Sequence, residues 1–144
     1  MPDATILAFD FGRKRIGVAI GTTIIGQARA LTTLIAERRE NREAEITALI
    51  REWQPQELVV GLPVHIDGKE HEMTQNARAF AAWLEERFLL PVRLIDERLT
   101  TQVAQSLLEE NGVYGEKARA VRDAVAAQII LQAYLDERET NELF

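Results

Sequence analysis

The sequence predicts a single α/β domain built on a mixed five-stranded sheet, with three antiparallel strands followed by two parallel ones and helices on both faces. Three observations carry this. Three short apolar runs follow one another at the start with only turns between them. Two further apolar runs, 57–63 and 92–96, are each preceded by a segment with helical apolar spacing. Parallel strands joined through helices cover both faces of a sheet.

The first run, Thr5 to Phe11, is apolar throughout and reads as a buried strand. It ends at the turn Gly12-Arg13-Lys14-Arg15, and Ile16 to Gly21 forms the second arm of a hairpin. Residues 26–34 read as a third, antiparallel strand. Ile46, Leu49, Ile50 and Trp53 keep helical spacing up to the break at Pro55, and Glu57 to Pro63 is a short buried strand running into a turn. Residues 64–69, with Asp67-Gly68, read as a loop. A helix over 74–88 places Ala77, Phe80, Ala81 and Leu84 on one face, and Val92 to Asp96 is the fifth strand. A helix over 101–110 closes at Asn111-Gly112, and a last one covers 117–137. Trp53, Trp83 and Tyr134 fall on apolar helical faces and are expected in the core. The domain is expected to span 1–138, followed by a short acidic tail at 139–144.

Composition narrows the chemistry. The 144 residues are enough for one domain with a real core, and 47% hydrophobic with 28% charged residues is ordinary for a globular protein. There is no cysteine, which excludes disulfides, thiolate metal sites and a cysteine nucleophile. No leader or membrane-length apolar run is evident, so a cytoplasmic location is expected. The net charge of −6 argues mildly against nucleic acid, but half of it lies in the segment from Asp136 to Glu142. Of the 17 basic residues 14 are Arg, the side chain suited to bidentate phosphate contacts.

Three acids stand out. Alternation along the first strand puts Ile6, Ala8 and Asp10 on one face and Leu7, Phe9 and Phe11 on the other. A carboxylate in that position needs a cation, the sheet's edge, or a salt bridge to Arg13 or Arg15. Asp96 and Glu97 end the last strand, where α/β sheets form their sites, although acids there also suit the start of a helix capped by Thr100. Asp123 shares a helix face with Ala127, Ile130 and Tyr134, and small alanines around it allow a close approach to the sheet. Taken alone, Asp123 reads as a solvent-facing acid near a helix start. Converging carboxylates would repel one another unless a hard cation such as Mg²⁺ or Mn²⁺ sat among them, and such ions also bind substrate phosphates.

Four segments together resemble a known family. Ala8 to Ala19, Val60-Gly61-Leu62-Pro63 with Asp67-Gly68, Asp96-Glu97-Arg98-Leu99-Thr100-Thr101, and Asp123 to Ala127 are similar, in order, to the motifs of the YqgF/RuvX family of pre-16S rRNA nucleases related to the Holliday junction resolvases. The resemblance implies an RNase H-like fold and metal-dependent cleavage of structured nucleic acid. It places the catalytic and metal-binding acids at Asp10, Glu97 and Asp123, with Mg²⁺ or Mn²⁺ as cofactor. Gly21-Thr22 stands where many members carry Ser-Asp, and His65 where they often have Asn. His71 has no motif support, and only three acids are evident where several RNase H-like nucleases use four; Asp96 is the candidate fourth.

Arg13, Lys14, Arg15, Arg98, Lys117, Arg119 and Arg122 are the candidate phosphate contacts, the alternative being solvated charges or counter-ions for the acids. Gly12, Gly61, Pro63 and Gly68 are expected to shape loops at the site. Asn76 and Arg78 read as surface residues at a helix start, with substrate contact as the alternative. The expected partners are structured RNA or branched DNA and ribosomal precursor particles, with no membrane. Pre-16S rRNA processing leads, with Holliday junction resolution and a non-catalytic RNA-binding assembly or transcription factor as the competing readings. An actin-like ATPase needs two lobes, and this chain has room for one.

Overall fold

Hydrophobic alternation along the first strand fixes the centre of the molecule. The computed structural model describes residues 4–35, 37–63, 71–97 and 106–143, without the side chains of 116, 117, 119, 120 and 140–143. Strands β1 (Thr5–Phe11), β2 (Arg15–Thr22), β3 (Ala28–Ile35), β4 (Glu57–Leu62) and β5 (Val92–Asp96) form one sheet in the order β3-β2-β1-β4-β5. β1, β2 and β3 pair antiparallel, while β4 and β5 run parallel to β1. This is the expected sheet, with β1 at its centre.

The two faces are covered by different helices. Leu7 and Phe9 of β1, Ile16 and Val18 of β2 and Leu58 and Val60 of β4 pack with Ile46 of α1 (Arg39–Trp53) and Ala77, Phe80 and Leu84 of α2 (Glu72–Phe88). Ile6, Ala8, Ala19 and Val59 point the other way, against Ala127, Ile130, Leu131, Tyr134 and Leu135 of α3 (Gly115–Leu143). Burial of these apolar side chains, at roughly 1.5–3 kcal/mol each, is the main stabilising term. Tyr134 belongs to the core as expected, and Trp53 and Trp83 pack at its margin.

Several local details differ from the sequence reading. α2 begins at Glu72, because His71 caps it: its Nδ1 accepts from the Met73 N–H at 3.3 Å, and Thr74 Oγ1 accepts from the His71 N–H at 3.1 Å. His71 therefore has a structural role that no motif indicated. α3 starts at Gly115, and its backbone continues through 139–143, the acidic segment. Of the helix expected over 101–110, residues 106–110 are helical and the rest lies outside the described residues.

α3 is tied to the sheet by side-chain amides. Gln132 accepts from the Ala28 N–H at 2.9 Å and donates to the Gly26 carbonyl at 2.9 Å, and Gln128 donates to the Ala28 carbonyl at 3.2 Å. At the amino end of β4, buried Glu57 accepts from Tyr134 Oη, from Arg138 at 3.1 Å and from Arg93 at 3.3 Å. Tyr134→Phe removes one of these donors while keeping the packing. We expect it to cost about 1–3 kcal/mol, read as a lower midpoint in thermal denaturation. An unchanged midpoint would show that the two arginines satisfy Glu57 alone.

Candidate active site

At the opposite edge of the sheet, where β1, β4 and β5 end, the acids meet. Asp10 lies one residue from the end of β1, on the face covered by α3. Glu97 directly follows β5, and its backbone N–H donates to the Leu62 carbonyl at 3.0 Å, which extends the pairing with β4 by one residue. The Asp10 and Glu97 carboxyls lie within hydrogen-bonding reach of each other. Two carboxylates at that separation require a shared proton or a cation.

The environment sharpens that requirement. Burial pushes the Asp10 carboxyl up to about 6; the contact with Glu97 works against this, Asp123 adds to it, and Arg122 offsets part of it. Glu97 is pushed up to about 10, first by burial, then by Asp10 and by Asp96. Glu97 Oε2 is buried and receives no hydrogen bond in the structure. Asp96 is exposed, one residue out of phase with Ile95 and Glu97, so it acts on Glu97 through charge alone.

Asp123 reaches the same region from α3. Its position is eight residues beyond the helix start at Gly115, so the favourable interaction of a first-turn acid with the helix dipole does not account for it. It is held by Arg15, whose Nε donates to Oδ2 at 2.7 Å. Arg15 therefore pairs with Asp123 and not with Asp10, and Arg13 pairs with Glu72 at the start of α2. The salt bridge considered for Asp10 is thus made elsewhere. Arg122 stands 4.0 Å from Asp123 Oδ1, and its Nε is buried without an acceptor.

Two glycines make this convergence possible. Gly17 is the β2 partner of Asp10, and a Cβ on it would fall onto the carbonyl of Asp123 and within 2.8 Å of the Ala124 nitrogen. The sequence pointed to alanines on the helix as the source of the close approach. The tightest contact is on the sheet, at Gly17. Gly61 faces Glu97, and a Cβ there would collide with Oε2 and come within 2.5 Å of Ile130 Cδ1. Gly61→Ala is expected to displace a side chain rather than backbone. We expect a stability cost of about 1–3 kcal/mol from crowding, with a larger proportional loss of activity. Activity retained in full would show that the Glu97 carboxylate can sit elsewhere.

The remaining expected site residues are placed as follows. Gly12 lets the hairpin turn close, since a Cβ would come within 2.6 Å of the Arg15 carbonyl oxygen. Pro63 accepts from Thr74 Oγ1 and so joins the end of β4 to α2. Lys14 is exposed at the hairpin tip. His65, Asp67, Gly68 and Arg98 lie outside the described residues, as do the side chains of Lys117 and Arg119. Among the described residues no three His or acidic side chains stand grouped as a cation cage, and Asp123 is paired with Arg15. None of the described helices is long and apolar enough to cross a membrane.

A sheet of this order, with acids at the carboxyl edge of its central strands and a closely packed final helix, defines an RNase H-like fold of the class that hydrolyses nucleic acids. Residues 4–137 match the family described as "RuvX: Holliday junction resolvase", and the chain belongs to that RuvX (YqgF) family. A relative from Methylobacillus flagellatus is 53% identical over 131 residues, covering 91% of this chain and 90% of its own length. One from Nitrosomonas europaea is 53% identical over 142 residues, covering 94% and 96%. Both carry the name "Putative pre-16S rRNA nuclease". Among solved structures, Thermus thermophilus RuvC in complex with a Holliday junction aligns with a TM-score of 0.59 at 16% identity, covering 94% of this chain and 96% of that one. A fowlpox virus resolvase in complex with junction DNA aligns at 0.57 and 12% identity, covering 92% and 97%. These two likenesses concern the fold.

Proposed function

We propose that this protein is a metal-dependent nuclease that hydrolyses phosphodiester bonds in structured RNA, acting on the 5′ end of the 16S rRNA precursor. The observation that carries this reading is the half-buried Asp10–Glu97 pair, with Glu97 Oε2 lacking any donor and Asp123 alongside. Carboxylates so placed fit a hard divalent cation. Asp10, Glu97 and Asp123 would hold Mg²⁺ or Mn²⁺. The cation supplies charge neutralisation at the scissile phosphate and a more acidic water, and two ions would serve the attacking and leaving oxygens separately.

The chain's own groups do the rest. Arg122, whose buried Nε lacks a hydrogen-bond acceptor and faces Asp123 Oδ1 at 4.0 Å, is the candidate among the described residues to donate to a phosphate oxygen. Arg15 neutralises Asp123 in the resting protein and is released when that carboxylate takes up a ligand. Lys14 and Arg13 at the hairpin tip contact flanking phosphates, which sets register without reading sequence. Water adds to phosphorus as the P–O bond to the leaving sugar oxygen breaks.

The family description favours a second substrate for the same chemistry, a four-way DNA junction. The test is cleavage of a precursor 5′-leader hairpin RNA and of a four-way junction by purified wild type and Asp10→Asn, with and without Mg²⁺ or Mn²⁺. Metal-dependent cutting of the RNA that the variant lacks supports the proposal. Cutting of the junction alone moves the substrate to DNA. Absence of cutting with tight RNA binding overturns the nuclease and leaves a non-catalytic RNA-binding factor.

A further inference from the structure

On the far face of the sheet from the acids, beside the same edge, lies a cleft of about 410 Å³ between α1, α2 and the end of β1. That volume is within the roughly 300–1,000 Å³ of ordinary ligand sites. Strand alternation puts it there: Asp10 faces α3, and the next residue, Phe11, turns its ring into the cleft.

The lining is aromatic and basic. Phe11 and Phe80 lie with ring centroids 4.8 Å apart, and half-buried Trp83 stacks on Phe80 at 6.1 Å and 23°. Arg42 crosses this surface from α1, its guanidinium 5.5 Å from the Phe11 centroid and 6.0 Å from that of Phe80. Arg42 Nε is buried with no acceptor. Burial, and then neighbouring Arg39, disfavour its charge, and Glu43 offsets part of this. Arg39 is exposed at the rim and paired with Glu43 at 3.0 Å. Asn76 and Glu37 also line the cleft and offer both donor and acceptor groups.

An aromatic surface, an arginine whose Nε lacks an acceptor, a second arginine at the rim and an amide are the elements of an unpaired-nucleotide site. From this geometry we infer that the cleft between α1 and α2 binds one unpaired nucleotide of the substrate strand. Its base stacks on half-buried Trp83, which Phe80 backs from beneath, and its phosphate lies between Arg42 and Arg39. The inference deepens the proposed nuclease reading and rests on it for the polymer. It makes the substrate a junction of paired and single-stranded nucleic acid: the single-stranded arm is held on one face of β1 and the scissile bond on the other.

The experiment separates the two readings by working without metal. In EDTA, a six-nucleotide single-stranded RNA is titrated into Trp53→Phe protein, in which Trp83 is the remaining tryptophan. Quenching of Trp83 by the RNA, and its absence with the matching abasic sugar-phosphate, is the expected result. Trp83→Leu is expected to raise the Kd roughly 5- to 150-fold by anisotropy. Because Trp83 also packs on the core, Arg39→Gln serves as the exposed second variant. It should weaken binding and lower the slope of log K against log salt by about 1. Wild-type affinity in both variants, or equal quenching by a blunt duplex, overturns the cleft and leaves the nuclease untouched. Quenching without any metal-dependent cleavage supports the cleft and overturns the nuclease.

Discussion

Asp10→Asn protein is expected to be inactive and yet to melt at a higher temperature than wild type in EDTA. The loss of activity should be on the order of 10³-fold or more, since Asn can neither neutralise a cation nor replace the lost carboxylate charge. The gain in stability follows from linkage. Asp10 is raised to about 6 and Glu97 to about 10 in the fold, whereas the unfolded chain releases both protons near pH 4. Between these limits the folded state binds more protons than the unfolded one, so metal-free wild type loses stability as pH rises from about 4. Removing Asp10 removes its own share and relieves Glu97, leaving a flatter pH–stability curve and a gain of order 2 kcal/mol at neutral pH. Mg²⁺ should raise the wild-type midpoint and leave that of the variant where it is. Equal midpoints for the two proteins in EDTA at pH 7 would show that the acid pair is not strained.

Gly17→Ala is expected to be the most destabilising of the glycine-to-alanine substitutions among the described residues. The added Cβ meets backbone atoms of Asp123 and Ala124, which no rotamer change can move aside. α3 must lift from β2, breaking the Arg15–Asp123 contact and loosening the packing of Ala127 and Ile130. Overpacking of this kind costs about 3 kcal/mol or more, equivalent to a fall of roughly 10 °C for a domain of this size. Thermal denaturation measures it directly. A variant with wild-type stability would mean that the helix docks loosely enough to accommodate a methyl group.

These two residues also mark what was legible in the sequence. Asp10 was legible because strand alternation is local: Ile6 and Ala8 fix its face, and the run ends there. Helical spacing likewise gave the α3 face of Ala127, Ile130 and Tyr134, whereas the order of the strands within the sheet comes from the structure. Gly17 was not singled out, because the requirement for it comes from a helix more than a hundred residues later. The partners of Arg13 and Arg15 were hidden for the same reason, since ion pairing across the fold leaves no periodic trace. The choice between Asp96 and Glu97 came from resemblance alone, as periodicity is silent just past a strand end. In the structure Glu97 sits against Gly61, and Asp96 is exposed on the other side of the strand end. His71 was overlooked because an imidazole is an uncommon helix cap.

The placement of Asp123 on the last helix has a bearing on the protein's synthesis. The β1–β2–β3 meander joins neighbouring segments and can pair soon after it leaves the ribosome, and it already carries Asp10. β4 then adds beside β1, and β5 brings Glu97. Asp123, and the helix face that seals Ile6 and Ala8 from water, are made only after all five strands. A nascent chain that has not reached α3 therefore holds Asp10 and Glu97 without Asp123, and an uncovered sheet face open to proteolysis. Synthesis of α3 is the step that brings Asp123 and the cover of this sheet face to the other two acids.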